Sequence, residues 1–202
     1  DIDELNSFKP SFSMDERTRS YLKVQDGCDY TCSFCTIPLA RGKSRSGIIS
    51  DTIKAAKDIA ESGNKEIVLT GVNIGDFGKG NDESFIDLIE ALDSINEINR
   101  IRISSIEPNL LTDEIIEFCN LSKKLMPHFH IPLQSGSDKI LKAMRRRYDK
   151  KVYQNRIKKI KDTNQDTCIG VDVIVGFPGE SYEDFLETYN FLIELDISYL
   201  HV

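Results

Sequence analysis

The residues best equipped for chemistry are three cysteines within eight positions, in Gly27-Cys28-Asp29-Tyr30-Thr31-Cys32-Ser33-Phe34-Cys35. The spacing is C-x3-C-x2-C. The chain has five cysteines, an odd count, and clustering of this kind points to metal or redox chemistry rather than to structural disulfides. Three thiolates on one loop hold three irons of a four-iron cluster and leave the fourth iron open to an outside ligand, whereas electron-transfer clusters take four cysteines. A structural zinc site also asks for a fourth ligand. His128 and His130 are candidates for it, but they lie on a distant strand. A plain zinc or iron–sulfur binding module is the non-enzymatic alternative. Cys119 sits on a helical apolar face and Cys168 in an apolar strand, so both read as core residues.

The triplet needs a scaffold, and the chain around it alternates. Strands are expected at Tyr21–Gln25, Glu66–Leu69, Arg100–Ser104, Met126–Leu133, Thr167–Val175 and Ile197–Val202. Between them apolar residues recur at helical spacing, as in Ile53, Ala56, Ile59 and Ala60, with Ser50 as N-cap and Gly63 as the terminating glycine. Further helices are expected at Ser84–Ile95, after Thr112, at Asp138–Arg145, at Lys151–Asp162 and at Ser181–Leu195. Strand–helix alternation of this kind specifies parallel βα units, with strands buried on both faces. No dinucleotide fingerprint follows the first strand, so a curved array fits better than a doubly wound sheet. Six units are too few for a closed eight-fold barrel. The expected fold is therefore α/β, a partial (βα)6 TIM-like barrel whose last unit is truncated after its strand. Residues 1–18 read as a polar linker or tail and residues 19–202 as one domain. A start at Asp1 rather than Met suggests a piece of a longer protein.

Hydrophobic residues make up 40% and charged residues 29%, ordinary for a globular protein. No apolar run reaches membrane-spanning length and no signal peptide is visible, so a cytoplasmic location is expected. The net charge of −7 argues against a generally basic, nucleic-acid-coating surface. The exception is residues 139–161, where eleven Lys and Arg meet one acid, Asp149. That stretch is either a solvated helix face or a local phosphate grip.

The motif C-x3-C-x-Φ-C, with Phe34 as the aromatic residue, resembles the radical S-adenosylmethionine superfamily, and the resemblance runs from about Arg19 to the end. It implies a 4Fe–4S cluster on Cys28, Cys32 and Cys35, with S-adenosylmethionine chelating the open iron and undergoing cleavage to methionine and a 5′-deoxyadenosyl radical. It further implies cofactor contacts at strand ends. Phe34 belongs to the cluster motif. Thr70 and Gly71 match the glycine-containing motif at the methionyl amine, and Glu107 the carboxylate directed at that amine. Gln134 with Ser135 and Arg146 match the groups at the ribose and carboxylate, and Asp172 the ribose-binding acid. Without the resemblance, Gly71 is a turn glycine, Glu107 a helix cap, Gln134 and Ser135 loop residues, and Arg146 one base among many. Asp172 is harder to dismiss, because an acid within an apolar strand is costly without a partner.

Longer words narrow the resemblance. Val24-Gln25-Asp26-Gly27-Cys28, Ile37-Pro38-Leu39-Ala40-Arg41-Gly42-Lys43, Ser104-Ser105-Ile106-Glu107-Pro108 and His130-Ile131-Pro132-Leu133-Gln134-Ser135-Gly136-Ser137 are similar to the methylthiotransferases. Val68-Leu69-Thr70-Gly71-Val72-Asn73-Ile74-Gly75 resembles the branch acting on N6-threonylcarbamoyladenosine in tRNA, the MtaB type. Isopentenyladenosine in tRNA and a ribosomal-protein aspartate are the alternative substrates. The resemblance implies tRNA as partner, with residues 139–161 as a contact, and an electron donor such as flavodoxin or ferredoxin. It also implies two domains outside this stretch, an N-terminal one with three more cysteines and a C-terminal RNA-binding one. The core alone is then expected to bind a cluster without completing methylthiolation.

Overall fold

A computed structural model describes residues 7–13 and 18–202. Six parallel strands form its frame: β2 (Arg19–Lys23), β5 (Glu66–Thr70), β6 (Arg100–Ile103), β7 (His128–His130), β8 (Cys168–Asp172) and β9 (Tyr199–His201). Register runs Arg19, Glu66, Arg100 across β2, β5 and β6. Single bridges, Ile101 to Leu125 and Ser105 to His130, carry the array from β6 to β7. It continues His130, Gly170, Tyr199 across β7, β8 and β9. A curved, open array in sequence order is the expected partial barrel. β1 (Ser11–Phe12) adds an antiparallel strand outside β2, pairing with Lys23 and Leu22, so part of the segment read as a tail belongs to the sheet. Residues 1–6 and 14–17 of that segment lie outside the described residues.

Helices α1 (Ile37–Arg41) and α2 (Ile49–Glu61) follow β2, α3 (Phe85–Asp93) follows β5, and α4 (Asp113–Leu121) follows β6. Helices α5 (Asp138–Ala143) and α6 (Lys150–Thr163) follow β7, and α7 (Tyr182–Glu194) follows β8. Their starts obey capping chemistry. Ser84 and Ser181 form capping boxes with Asp87 and Asp184, and the Thr112 and Asp149 side chains accept from the third helical N–H. Helix α2 differs from expectation. It starts before Ser50, and the Glu83 carboxylate accepts from the Ile49 N–H at 2.9 and 3.1 Å in place of a local cap.

The strands have unlike faces. Leu22, Ile67, Leu69, Ile101, Ile103, Phe129, Ile169 and Val171 are buried against the helices and form the core with Ile59, Leu88, Ile116 and Ile157. The other face lines the concave lumen and is polar. Arg102 and Arg100 pair with Glu66 there, Tyr199 Oη meets His128 Nε2 at 2.9 Å, and His130 Nε2 meets Asp172 Oδ1 at 2.8 Å. Burial of the strands on two apolar faces, expected from parallel pairing, thus holds on one side only. An open barrel of six strands keeps its concave face wet. Among the described residues, no helix is long and apolar enough to cross a membrane.

Candidate functional site

The loop after β2 begins with a two-residue ribbon, β3 (Gln25–Asp26) antiparallel to β4 (Arg45–Ser46). Asp26 receives Lys23 at 2.7 Å, Arg41 at 3.1 Å and Arg45 at 3.2 Å. Burial pushes its carboxyl up, but the hydrogen bonds from Lys23, the Gly27 N–H and Arg41 outweigh that and hold it below the ordinary value. Gly27 then turns the chain with φ of 71°, and a Cβ there would lie 2.0 Å from the Lys43 carbonyl oxygen, so only glycine fits. This turn delivers Cys28, whose N–H donates to the Gly42 carbonyl and whose Sγ accepts from the Tyr30 N–H at 3.4 Å. Burial pushes the Cys28 thiol up despite that donor, so ionising it calls for a cation.

The far side of the loop is tied to the end of α5. Ser33 donates from its N–H to the Met144 carbonyl and from its hydroxyl to the Ala143 carbonyl. Helix α5 ends in a Schellman turn. The Arg146 N–H reaches back to the Leu141 carbonyl and the Arg145 N–H to that of Lys142, with Arg145 left-handed at φ of 59° where glycine is usual. The turn aims Arg146 at the cysteines. Its guanidinium donates to Cys32 Sγ at 3.2 Å and to Tyr148 Oη at 3.0 Å, and it pairs with Glu107 from the end of β6. Gln134 is the second left-handed non-glycine residue, at φ of 68°. It is pinned by its N–H donating to the Asp172 carbonyl and its carbonyl accepting from the Ile174 N–H. Such backbone costs about 1–3 kcal/mol and gathers at functional sites.

These elements enclose a cavity of about 480 Å³, within the range of small-molecule sites. Cys28, Cys32, Phe34, Cys35, Thr70, Gly71, Glu107, Gln134 and Arg146 all line it, from the ends of β2, β5, β6 and β7. Two residues implied by the resemblance do not. Ser135 is fully buried, and its hydroxyl pairs with Thr188 and accepts from the Ser137 N–H. Asp172 stands on the rim of β8, its Oδ1 shared by His130 Nε2 at 2.8 Å and His201 Nδ1 at 3.2 Å. Lys23, Tyr30, Arg41 and Asn73 also line the cavity and carried no signal as single residues. The Arg147 guanidinium lies 3.9 Å from the Tyr30 ring centroid, whose hydroxyl accepts from Asn109.

The three thiols share one cavity, but their sulfurs are not drawn together as a preformed single-ion site would hold them. Among the described residues, the only three ligating side chains with atoms within 4.8 Å of one another are His130, Asp172 and His201. The cysteine sulfurs do not meet that limit, whereas zinc draws its sulfurs to about 3.8 Å apart, from a Zn–S bond of about 2.3 Å. The imidazoles of His128 and His130 are engaged with Tyr199 and Asp172, not with the cysteines. Cys119 is buried and its thiol is pushed up to about 12 by burial, in keeping with a core role.

The basic stretch is largely neutralised. Lys139 pairs with Asp184, Lys150 with Glu187, Arg156 with Asp113, Lys158 with Asp162, Lys159 with Glu117 and Lys161 with Asp196. Lys142, Arg145, Arg147 and Lys151 are exposed without an ion pair among the described residues, Arg147 lying against Tyr30.

Comparison with known proteins agrees with this geometry. The model of the radical SAM superfamily matches residues 22–192. The chain is 47% identical over 195 residues to threonylcarbamoyladenosine tRNA methylthiotransferase MtaB of Bacillus subtilis (strain 168), covering 96% of this chain and 43% of that protein. It is 40% identical to tRNA-2-methylthio-N(6)-dimethylallyladenosine synthase of Alkaliphilus oremlandii (strain OhILAs), covering 87% and 38%. It thus spans less than half the length of these relatives. Among solved structures, the radical S-adenosylmethionine methyltransferase TsrM of Kitasatospora setae, with cobalamin and a [4Fe-4S] cluster bound, shares the fold. Its TM-score is 0.70 at 14% identity, over 89% of this chain and 35% of that one. A six-stranded open barrel, three cysteines on the loop after its first parallel strand and a family match over most of the chain lead to one conclusion: this chain belongs to the radical SAM superfamily.

Proposed function

We propose that the chain is the S-adenosylmethionine-cleaving core of a tRNA methylthiotransferase, with C2 of an N6-threonylcarbamoyl adenosine as the position modified. The observation that carries the first half is the convergence of Cys28, Cys32, Cys35, Gly71, Glu107, Gln134 and Arg146 on one cavity. The 47% identity to MtaB of Bacillus subtilis, against 40% to the synthase of Alkaliphilus oremlandii, supports the second half. Cys28, Cys32 and Cys35 would hold a 4Fe–4S cluster at the cavity, with room beside it for S-adenosylmethionine. When bound, this group supplies the electron that cleaves the sulfonium and releases a 5′-deoxyadenosyl radical.

The chain's own residues position that chemistry. Arg146 donates to Cys32 Sγ and orients it, and its fork suits a carboxylate. Glu107 balances the guanidinium and faces the cavity as an acceptor for an amine. Gly71, without a side chain, lets the β5 loop approach the ligand. Buried Tyr30 and the more exposed Phe34 wall the cavity with aromatic surface. Asp172, with one oxygen held by two imidazoles, keeps Oδ2 available to a hydroxyl at the lumen rim. The electron donor is a small redox protein such as flavodoxin or ferredoxin.

Anaerobic reconstitution with iron and sulfide, followed by reduction with S-adenosylmethionine, should yield 5′-deoxyadenosine; Cys32→Ala should not. The substrate is decided in a polypeptide of the relatives' full length, offered threonylcarbamoylated tRNA, isopentenylated tRNA or ribosomal protein and read by mass spectrometry. Methylthiolation of either alternative and not of the first would overturn the assignment.

A further inference from the structure

Gln25 is fully buried and its amide is saturated. Oε1 accepts from the Val72 N–H at 2.9 Å and the Asn73 N–H at 2.8 Å. The two N–H groups of Nε2 are shared among the Asp26 carbonyl at 3.0 Å, the Gly27 carbonyl at 2.7 Å and Ser44 Oγ at 3.0 Å. The partners come from three segments: the start of the cysteine loop, the residue before β4, and the loop after β5. Two N–H groups face the acceptor end and two carbonyls face the donor end, so the side chain must accept at one end and donate at the other. Among uncharged side chains, only a carboxamide offers both at this span. Gly71 lies against the same amide, since a Cβ there would sit 3.0 Å from Oε1.

We propose that Gln25 is a positioning residue that sets the Thr70–Asn73 loop at a fixed separation from the cysteine loop, so that one ligand meets both. It does not line the cavity, and it acts through Gly27, which delivers Cys28, and through the Val72 and Asn73 N–H groups of the loop after β5. The identity of the ligand rests on the function proposed above; the coupling of the two loops does not. Buried amides left without partners are costly, and the turn relaxes when its two N–H groups lose their acceptor. A side chain serving stability alone would lower the melting temperature and leave the affinity of correctly loaded protein unchanged.

Two variants separate these roles. Gln25→Ala removes both ends. Gln25→Glu keeps the acceptor for Val72 and Asn73 and removes the donors to Asp26 and Gly27. Amide hydrogen exchange on the iron-free chain should show Val72 and Asn73 protected in the wild type and exchanging at least about ten times faster in Gln25→Ala, with Ile67 and Leu69 unchanged. In Gln25→Glu the Cys28 amide should exchange faster while Val72 and Asn73 stay protected. On iron-loaded protein, S-adenosylmethionine affinity per cluster, read from its effect on the reduced cluster's paramagnetic resonance spectrum, should weaken about tenfold or more in both variants. Unchanged affinity per cluster, or unchanged exchange at Val72 and Asn73 in the alanine variant, would overturn the proposal. Loss of the far-ultraviolet circular dichroism signal in both variants would also overturn it, by making Gln25 a folding residue. A wild-type chain that takes up no iron would defeat the function proposed above and leave the exchange experiment to decide Gln25.

Discussion

Replacing Arg146 with methionine should destabilise the iron-free chain by about 3 kcal/mol. The side chain of Arg146 is 4% exposed and that of Glu107 is 17% exposed. Removing one partner of a buried pair typically costs about 3–5 kcal/mol, because the other charge is left without compensation. The residual exposure of Glu107 lets water reach it and moves the expectation to the low end of that range. Cys32 Sγ loses a donor as well. Tyr148 loses the Arg146 donor at 3.0 Å but its own hydroxyl proton stays satisfied by the Pro132 and Leu133 carbonyls at 2.8 and 2.9 Å, so its share of the loss is small. For a chain of this size, 3 kcal/mol corresponds to a fall in Tm of about 6–12 °C. Urea unfolding followed by circular dichroism measures it. The diagnostic is the double variant with Glu107→Gln, which leaves no stranded charge and should recover at least about 1 kcal/mol relative to the sum of the single effects. Arg146→Lys should recover only part, because an ammonium cannot fork to Glu107, Cys32 and Tyr148 together. A single-variant loss below about 1 kcal/mol together with strict additivity would refute the view that this pair anchors the cavity.

Four further outcomes follow from the same geometry. Gly27→Ala places a Cβ 2.0 Å from the Lys43 carbonyl oxygen on left-handed backbone, so iron uptake after reconstitution should fall well below the wild-type level; normal uptake would show that the turn can relax. The Asp26 carboxyl is held below the ordinary 3.8, so its contribution to stability is complete above that pH and is lost as pH falls through the lowered folded value; Asp26→Asn should flatten the acid limb of a urea midpoint–pH curve below about pH 4 while lowering the neutral plateau. Cys119, with its thiol pushed up to about 12, should resist alkylation at pH 8 in native protein and react after unfolding, as read by mass spectrometry of the labelled peptides. Reversing Lys142, Arg145 and Lys151 in the full-length polypeptide should weaken tRNA binding and shallow its salt dependence more than reversing Lys150 and Lys158, which already face Glu187 and Asp162; equal effects would argue against this face as the contact.

How much of this was legible in the sequence depended on how far apart the cooperating residues lie. The strand–helix alternation could be read because its signals are local, such as the period-two Arg100-Ile101-Arg102-Ile103 and the Ser-x-x-Asp boxes that open α3 and α7. The cysteine triplet was local too. The lumen was harder. Nothing near Arg100 and Arg102 in sequence announces their partner, because Glu66, thirty-six positions from Arg102, reaches them only through the pairing of β5 with β6. Which residues of the basic stretch stay unpaired was hidden for the same reason, since Glu187, Asp113, Glu117 and Asp196 come to it from other elements.

The turn that aims Arg146 was illegible for a different reason. A Schellman turn announces itself by glycine, and here the left-handed position holds Arg145, so composition at that point said only "basic". Its conformation is paid for by tertiary contacts, with the carbonyls of Ala143 and Met144 accepting from Ser33 on the cysteine loop. The loop therefore holds the turn that orients Arg146, and Arg146 in turn holds Cys32 on the loop. Mutual constraint of this kind gives a specific geometry without any one residue carrying a strong local preference. It also explains why Gln25, hidden beneath the loop's other end, left no trace as a single residue: its role exists only once the β5 loop has folded back to present the N–H groups of Val72 and Asn73.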